Sequence, residues 1–182
     1  MSQAAPVMIS PSDGELARAA CDGSDEAAAT LFRRYWAPAW RAAYMIVHRR
    51  AVADDVAQEA FQRAFRALPE YDPTRQFGPW LHRIVVNRAL DVVRRERRFV
   101  PLHEREEDRA EALEDTSRDP ELLGAVARLD PDRRVLIALR YWLDYSPPEI
   151  AELLGLPVGT ISSRLSRALA ELRTILEERH VS

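Results

Sequence analysis

Four side chains near the C-terminus, Ser162, Ser163, Ser166 and Arg167, have the make-up of a base reader. Short hydroxyls let a helix sit deep in the major groove, and a guanidinium reaches a guanine edge or a phosphate. A second set lies earlier. Tyr71, Phe77 and Trp80 fall in a stretch punctuated by prolines and a glycine, and Arg83, Asn87, Arg88, Asp91, Arg94 and Arg95 follow. Between Arg75 and Arg98 seven arginines stand against Asp91 and Glu96, a local balance of +5. Aromatic rings beside guanidiniums suit the stacking of unpaired bases while the cations hold phosphates. This is the chemistry of recognition, not of bond-making. The carboxylates fall on solvated helix faces or in an acidic stretch, with no catalytic triad and no metal-ligand set. His103-Glu104 lacks the second histidine of a helical zinc motif. No catalytic residue, metal or cofactor is expected, and the chain does not read as an enzyme.

The elements that must carry these residues are helical. Ser146 with Glu149 three residues on is a capping box, with Pro147-Pro148 in a first turn whose amides lack partners anyway. Ile150, Leu153 and Leu154 recur at helical spacing, and Gly155 stops the helix where a positive φ is needed. A second run places Ile161, Leu165, Leu169 and Leu172 on one face and the serines and Arg167 off it. Two helices and a tight turn read as a helix-turn-helix, or equally as an ordinary αα-hairpin with a solvated face. Upstream, Asp119-Pro120 and Asp130-Pro131 each set a cap before a first-turn proline. The C-terminal unit is therefore four short helices.

In the N-terminal half, helices begin at Asp13 and at Ser24. Leu31, Phe32, Tyr35, Trp36, Trp40 and Tyr44 form a stripe along the second, with Pro38 a potential kink. A third helix over Ala53–Leu68 turns Val56, Ala60, Phe61 and Ala64 inward and Asp54, Asp55, Gln58 and Glu59 outward. That acidic face is either plainly solvated or a dock for a basic partner. Tyr71 to Trp80 reads as a loop, and a fourth helix runs from Trp80. Phe77 and Trp80 serve either as base platforms or as caps on the core.

Composition sets the frame. At 182 residues, 47% hydrophobic and 30% charged, the chain suits one or two small globular domains. The net charge of −3 gives no global basic signature, so DNA binding must rest on local charge. Every one of the 26 basic residues is arginine, the better bidentate reader of phosphate and guanine. The single cysteine, Cys21, forbids an internal disulfide and suits a reducing compartment. No run approaches membrane-spanning length and no signal pattern opens the chain, so a cytoplasmic protein without membrane insertion is expected. From Phe99 to Arg118 acidic residues dominate and apolar ones are scarce, as in a flexible linker.

Assembled in order, the motifs resemble a known family. Asp54-Asp55-Val56-Ala57-Gln58-Glu59-Ala60-Phe61, followed by Trp80-Leu81-His82-Arg83-Ile84-Val85-Val86-Asn87, is similar to the second domain of bacterial RNA polymerase sigma factors. Pro148 to Gly155 and Pro157 to Ala168 resemble the fourth. Two such domains with only a linker between them resemble the extracytoplasmic-function (ECF) group of the sigma-70 family. The resemblance implies an all-α fold with domain 2 over 12–98, an acidic linker over 99–118 and a four-helix domain 4 over 119–180. It implies that Asp54, Asp55, Gln58 and Glu59 dock on the polymerase β′ clamp helices, and that domain 4 meets the β flap. Phe77, Trp80, Asn87, Arg88, Asp91, Arg94 and Arg95 would meet the −10 element, one base of which the loop captures. Arg140, Ser162, Ser163, Ser166 and Arg167 would meet the −35 element. The implied partners are core polymerase, promoter DNA both duplex and single-stranded, and an anti-sigma factor.

Three features depart from the family pattern. Pro147-Pro148 replaces a more usual polar or aromatic pair, Ser162 stands where a basic residue is common, and Asp72 to Gln76 lacks the common loop sequence. Two elements about one and a half helical turns apart are separated by roughly 55 Å. A linker of about 20 residues spans at most ~65–70 Å, so the two domains are expected to be held apart. The competing functions are a stand-alone helix-turn-helix regulator and a helical adaptor without a nucleic-acid role.

Overall fold

The computed structural model describes residues 11–99 and 120–180, and every regular element in them is helical. The order is α1 (Asp13–Cys21), α2 (Asp25–Val47), α3 (Arg50–Ala67), α4 (Phe77–Phe99), α5 (Pro120–Arg128), α6 (Pro131–Ile137), α7 (Pro147–Leu154) and α8 (Val158–His180). A 3₁₀ turn over Leu68–Glu70 follows α3, and a π turn over Ala138–Trp142 extends α6. The linker expected over 99–118, Asp119 and His103-Glu104 fall outside the described residues, apart from Phe99 at the end of α4.

Local sequence explains most of the boundaries. Ser12 and Glu15 form a reciprocal capping box at α1, and the Ser24 hydroxyl caps α2 at the Ala27 amide. Pro38 lies inside α2, which nevertheless stays one helix of 23 residues. His48, at a left-handed φ of 53°, ends it. The helix expected from Trp80 starts instead at Phe77. That places Pro79 in the first turn, where a missing amide costs nothing.

In the N-terminal half α2, α3 and α4 pack on one another with α1 against α2. Leu31, Ala42, Ile46, Val56, Phe61, Leu81 and Val85 are buried at their centre. In the C-terminal half α8 packs on α5, α6 and α7 through Ile161, Leu165, Ala168, Leu172 and Ile175. Leu169, expected inward, is instead 37% exposed. Ala168 takes the inward slot because buried positions on α8 recur at alternating steps of four and three.

The two halves do not stand apart as the tether argument led one to expect. Helices α6 and α7 and the π turn lie against α2 and α4, and one apolar core runs through both halves. Polar contacts stitch the seam. Arg134 donates to the Ile46 carbonyl at 2.7 Å, and Arg94 meets Asp132 at 3.0 Å. His82 Nδ1 and the Tyr145 hydroxyl are 2.7 Å apart in a buried setting. The reason is apolar area. Helix α6 and the π turn, whose Val135, Leu136 and Leu139 are buried, pack on α2, and an extended arrangement would return that apolar surface to water.

His82 is the one polar residue fully buried among those described, and its Nε2 has no partner. Burial lowers its pKa to about 4, while burial and the Glu149 charge raise the Tyr145 hydroxyl to about 12. Above the ordinary value near 6.5 the ring is neutral whether packed or exposed, and its lowered pKa costs the packed form nothing. It penalises that form as pH falls toward 4, by about 1.4 kcal/mol per pH unit. The halves should therefore separate on acidification between pH 6.5 and 4, read as a rise in radius of gyration by small-angle scattering. In His82→Phe that rise should be absent from this window.

Candidate nucleic-acid interface

The basic face is built by one helix. Along α4, Phe77, Leu81, Val85, Ala89 and Val93 repeat at every fourth position and are all buried. Their burial turns Arg83, Asn87, Asp91, Arg94 and Arg95 out to solvent. Arg88 sits between the two faces, half-buried and paired with Glu59 of α3. Glu59 also takes Arg63 at 2.6 Å. Burial works to raise the Glu59 pKa, but the hydrogen bonds from Arg88 and Arg63 outweigh it and hold the carboxyl below its usual value. Thus the acidic face of α3 and the basic face of α4 share an ion pair.

The acidic face is less uniform than its spacing suggested. Asp55 and Gln58 are exposed. Asp54 is half-buried and accepts the Trp40 indole N–H at 2.6 Å.

The loop between the 3₁₀ turn and α4 is held by its own side chains. Asp72 accepts from the Thr74 hydroxyl at 2.7 Å and the Thr74 amide at 2.9 Å, and these bonds lower its pKa. The Tyr71 hydroxyl donates to the Arg75 carbonyl. Thr74, Arg75 and Gln76 are left exposed at the tip. Phe77 does not fit the stacking role assigned to it above. It is fully buried, with Tyr35, Tyr71 and Trp80 rings 5.1, 5.7 and 5.5 Å from its own, so no base can reach its face. Trp80 is half-buried, with its ring 4.8 Å from that of Tyr71, and remains partly exposed.

At the other end, the capping box on Ser146 forms and Gly155 takes φ 66°, so α7 and α8 make the expected helix-turn-helix. Ser162, Ser163, Ser166 and Arg167 are exposed on α8. Ser163 donates to the Thr160 carbonyl and Ser166 to the Ser162 carbonyl, both at 3.0 Å, while Arg167 Nε donates to the Ser163 carbonyl at 3.2 Å. With their protons engaged along the helix, these hydroxyls offer lone pairs outward. Arg164 shares that exposed face, and its three-residue spacing to Arg167 is the signal in the sequence that puts it there. Arg140 lies in the π turn, donates to the Tyr145 carbonyl at 3.3 Å and stands 5.9 Å from the Tyr141 ring centre. Much of its guanidinium is thus engaged in shaping the entry to α7.

Among the described residues no three His, Cys, Asp or Glu gather as metal ligands, and no helix is long and apolar enough to cross a membrane.

Comparison with known proteins bears on both faces. Residues 31–99 match the Sigma-70 region 2 family and residues 120–172 the Sigma-70, region 4 family. The chain is 32% identical over 191 residues to the ECF RNA polymerase sigma factor SigE of Mycolicibacterium smegmatis, covering 92% of this chain and 70% of the relative. It is 31% identical over 187 residues to the RNA polymerase sigma factor NccH of Alcaligenes xylosoxydans xylosoxydans, covering 96% of this chain and 100% of the relative. Among solved structures, CnrH in complex with the cytosolic domain of CnrY superposes with a TM-score of 0.71 at 30% identity, over 91% of this chain and 97% of that one.

The two rings of the loop separate by experiment. Phe77→Ala should cost about 3–5 kcal/mol of stability in denaturant titration, as for a fully buried ring. Trp80→Ala should cost less stability and lower affinity for single-stranded DNA by about 1–3 kcal/mol in a fluorescence-anisotropy titration.

Proposed function

The chain belongs to the ECF group of sigma-70 factors, and from that membership we propose how its residues divide the work. It is an alternative sigma factor, directing promoter recognition and transcription initiation by core RNA polymerase. In the proposed division residues 12–98 are the module for −10 recognition and strand opening, 99–118 a linker, and 119–180 the module for −35 recognition. The observation that carries the division is that each family match lies on helices presenting one outward recognition face. Region 2 covers the arginine face of α4, and region 4 covers the serine–arginine face of α8.

On α4, Arg94, Arg95 and Arg88 would hold phosphates of the −10 region and its upstream duplex, with Asn87 and Trp80 toward the unpaired strand and Asp91 beside them. Each base-pair step opened costs roughly 1.4 kcal/mol of stacking, and one base stacked on an aromatic face returns about 1–3 kcal/mol. Capture of one or two bases therefore starts a bubble that the polymerase must sustain. On α8, Ser162, Ser163, Ser166 and Arg167, joined by Arg164, would read the −35 element, and Arg140 would steady the turn before α7. Asp55 and Gln58, with Asp54 and Glu59 behind them, would meet the β′ clamp helices, and the second module the β flap. CnrH forms a complex with the cytosolic domain of CnrY, and an anti-sigma partner is proposed here on that likeness. Neither a catalytic role nor a cofactor enters this reading, and its compartment is the cytoplasm, where the polymerase works.

Promoter engagement also requires the packed halves to part, since elements roughly 55 Å apart cannot be touched by modules in mutual contact. A stand-alone helix-turn-helix regulator would leave the region 2 match without a use.

Added to core polymerase, the chain should create start sites that core alone lacks; identical start maps with and without it would defeat the proposal. On such a promoter, Arg94→Ala with Arg95→Ala should reduce the slope of log affinity against log salt by about two. Arg167→Ala should cost about 1–3 kcal/mol at one −35 position.

A further inference from the structure

The region 2 match begins at residue 31 and leaves α1 outside it, yet α1 closely approaches the loop before α4. The Ser12–Glu15 capping box fixes Asp13 and Gly14 in the first turn of α1. Glycine is a poor choice inside a helix, where alanine is favoured. Gly14 does not need it for a left-handed backbone. A Cβ there would stand 2.5 Å from the Pro73 carbonyl oxygen, about 1 Å short of ordinary contact, and the obstacle is backbone that cannot swing aside.

Asp13 adds a second hold. Its carboxylate accepts from the Tyr35 hydroxyl and the Arg34 guanidinium, and Arg34 also donates to the Pro11 carbonyl at 3.3 Å. The Tyr35 ring lies 5.1 Å from that of Phe77 and within 3.0 Å of where a Cβ on Gly78 would sit. The first turn of α1 thus meets one side of the loop at Pro73 directly, and its far end, where α4 starts, through Tyr35. Between those two holds lie the exposed tip residues Thr74, Arg75 and Gln76.

We propose that Gly14 and Asp13 are positioning residues for base capture: through Pro73 and Tyr35 they set where Thr74, Arg75 and Gln76 meet the unpaired −10 base. The inference rests on the sigma-factor reading of this loop. Recognition groups need placement to within about 0.5 Å, and a displacement of Pro73 by a methyl group exceeds that. Gly14 and Asp13 themselves touch no DNA in this account.

The test uses the full chain with core polymerase on a promoter selected from a library randomised in the −10 and −35 elements. Gly14→Ala should shorten the half-life of the open complex about tenfold, the scale of one partly lost base stack. Its affinity for core polymerase and its −35 preference should match those of the parent. A scan of single abasic sites along the non-template −10 strand should find one position at which parent and variant become equal, because the base being positioned is gone. Asp13→Ala, which inserts no methyl group, should lose lifetime at the same position. A defect in either soluble variant that persists at every abasic site, or an unchanged half-life in both, would overturn the proposal. So would variants whose lifetime loss only tracks a lowered thermal midpoint. A parent chain that programs no start site would instead remove the function reading on which the inference stands.

Discussion

Burial of a single stripe on α4 fixes the recognition surface of the first module. Phe77, Leu81, Val85, Ala89 and Val93 are each four residues from the next, and together they lock the helix against α2 and α3. A helix so held has no rotational freedom, so the arginines between the buried positions have no choice but to face water. At about 0.8 kcal/mol per buried methylene, rotating α4 to hide Arg94 or Arg95 would cost many times thermal energy. The charged face thus derives its precision from the apolar one. The Glu59–Arg88 pair then ties that face to α3, so the helices proposed to meet polymerase and promoter cannot rock independently.

The second module solves the same problem with less material. Helix α7 has eight residues, short for independent stability, and relies on its ends. Ser146 and Glu149 satisfy the first amides and Gly155 turns the chain at a cost only glycine avoids. The recognition face of α8 is then aimed by burial of Ile161, Leu165 and Ala168 against α6 and α7. Small side chains at Ser162, Ser163 and Ser166 leave that face shallow enough to enter a groove.

Features set by neighbours in sequence were legible in it. The capping boxes, the Gly155 stop and the outward set on α8 all depend on residues within about four positions, which is what spacing reports. Alanine carries little hydropathy, so Ala168 reads less clearly as an inward position than Leu169 beside it. Phe77 was assigned to a loop by the prolines and glycine around it, whereas a proline in a first turn leaves helix formation intact. The contact of α1 with Pro73 and the seam between the halves join residues far apart in sequence. No periodicity encodes these. His82 in particular reads as one more polar residue between Leu81 and Arg83, and only the fold reveals that it faces Tyr145.

That seam carries a polar cost of its own. A ring nitrogen without a partner in a buried site forfeits hydrogen bonds that water would supply, a penalty of about 1–3 kcal/mol for the packed form. Arg94 with Asp132 and Arg75 with Glu152 are exposed pairs that add little, whereas the bond from Arg134 to the Ile46 carbonyl is partly buried. Apolar burial by α6 and the Arg134 bond therefore carry the closure against that polar cost. Arg94 sits both in the seam and on the face proposed for the −10 region, so DNA phosphate and Asp132 compete for one guanidinium. Duplex binding and closure oppose each other through that residue, while Arg95, exposed beside it, stays available to phosphate in either arrangement.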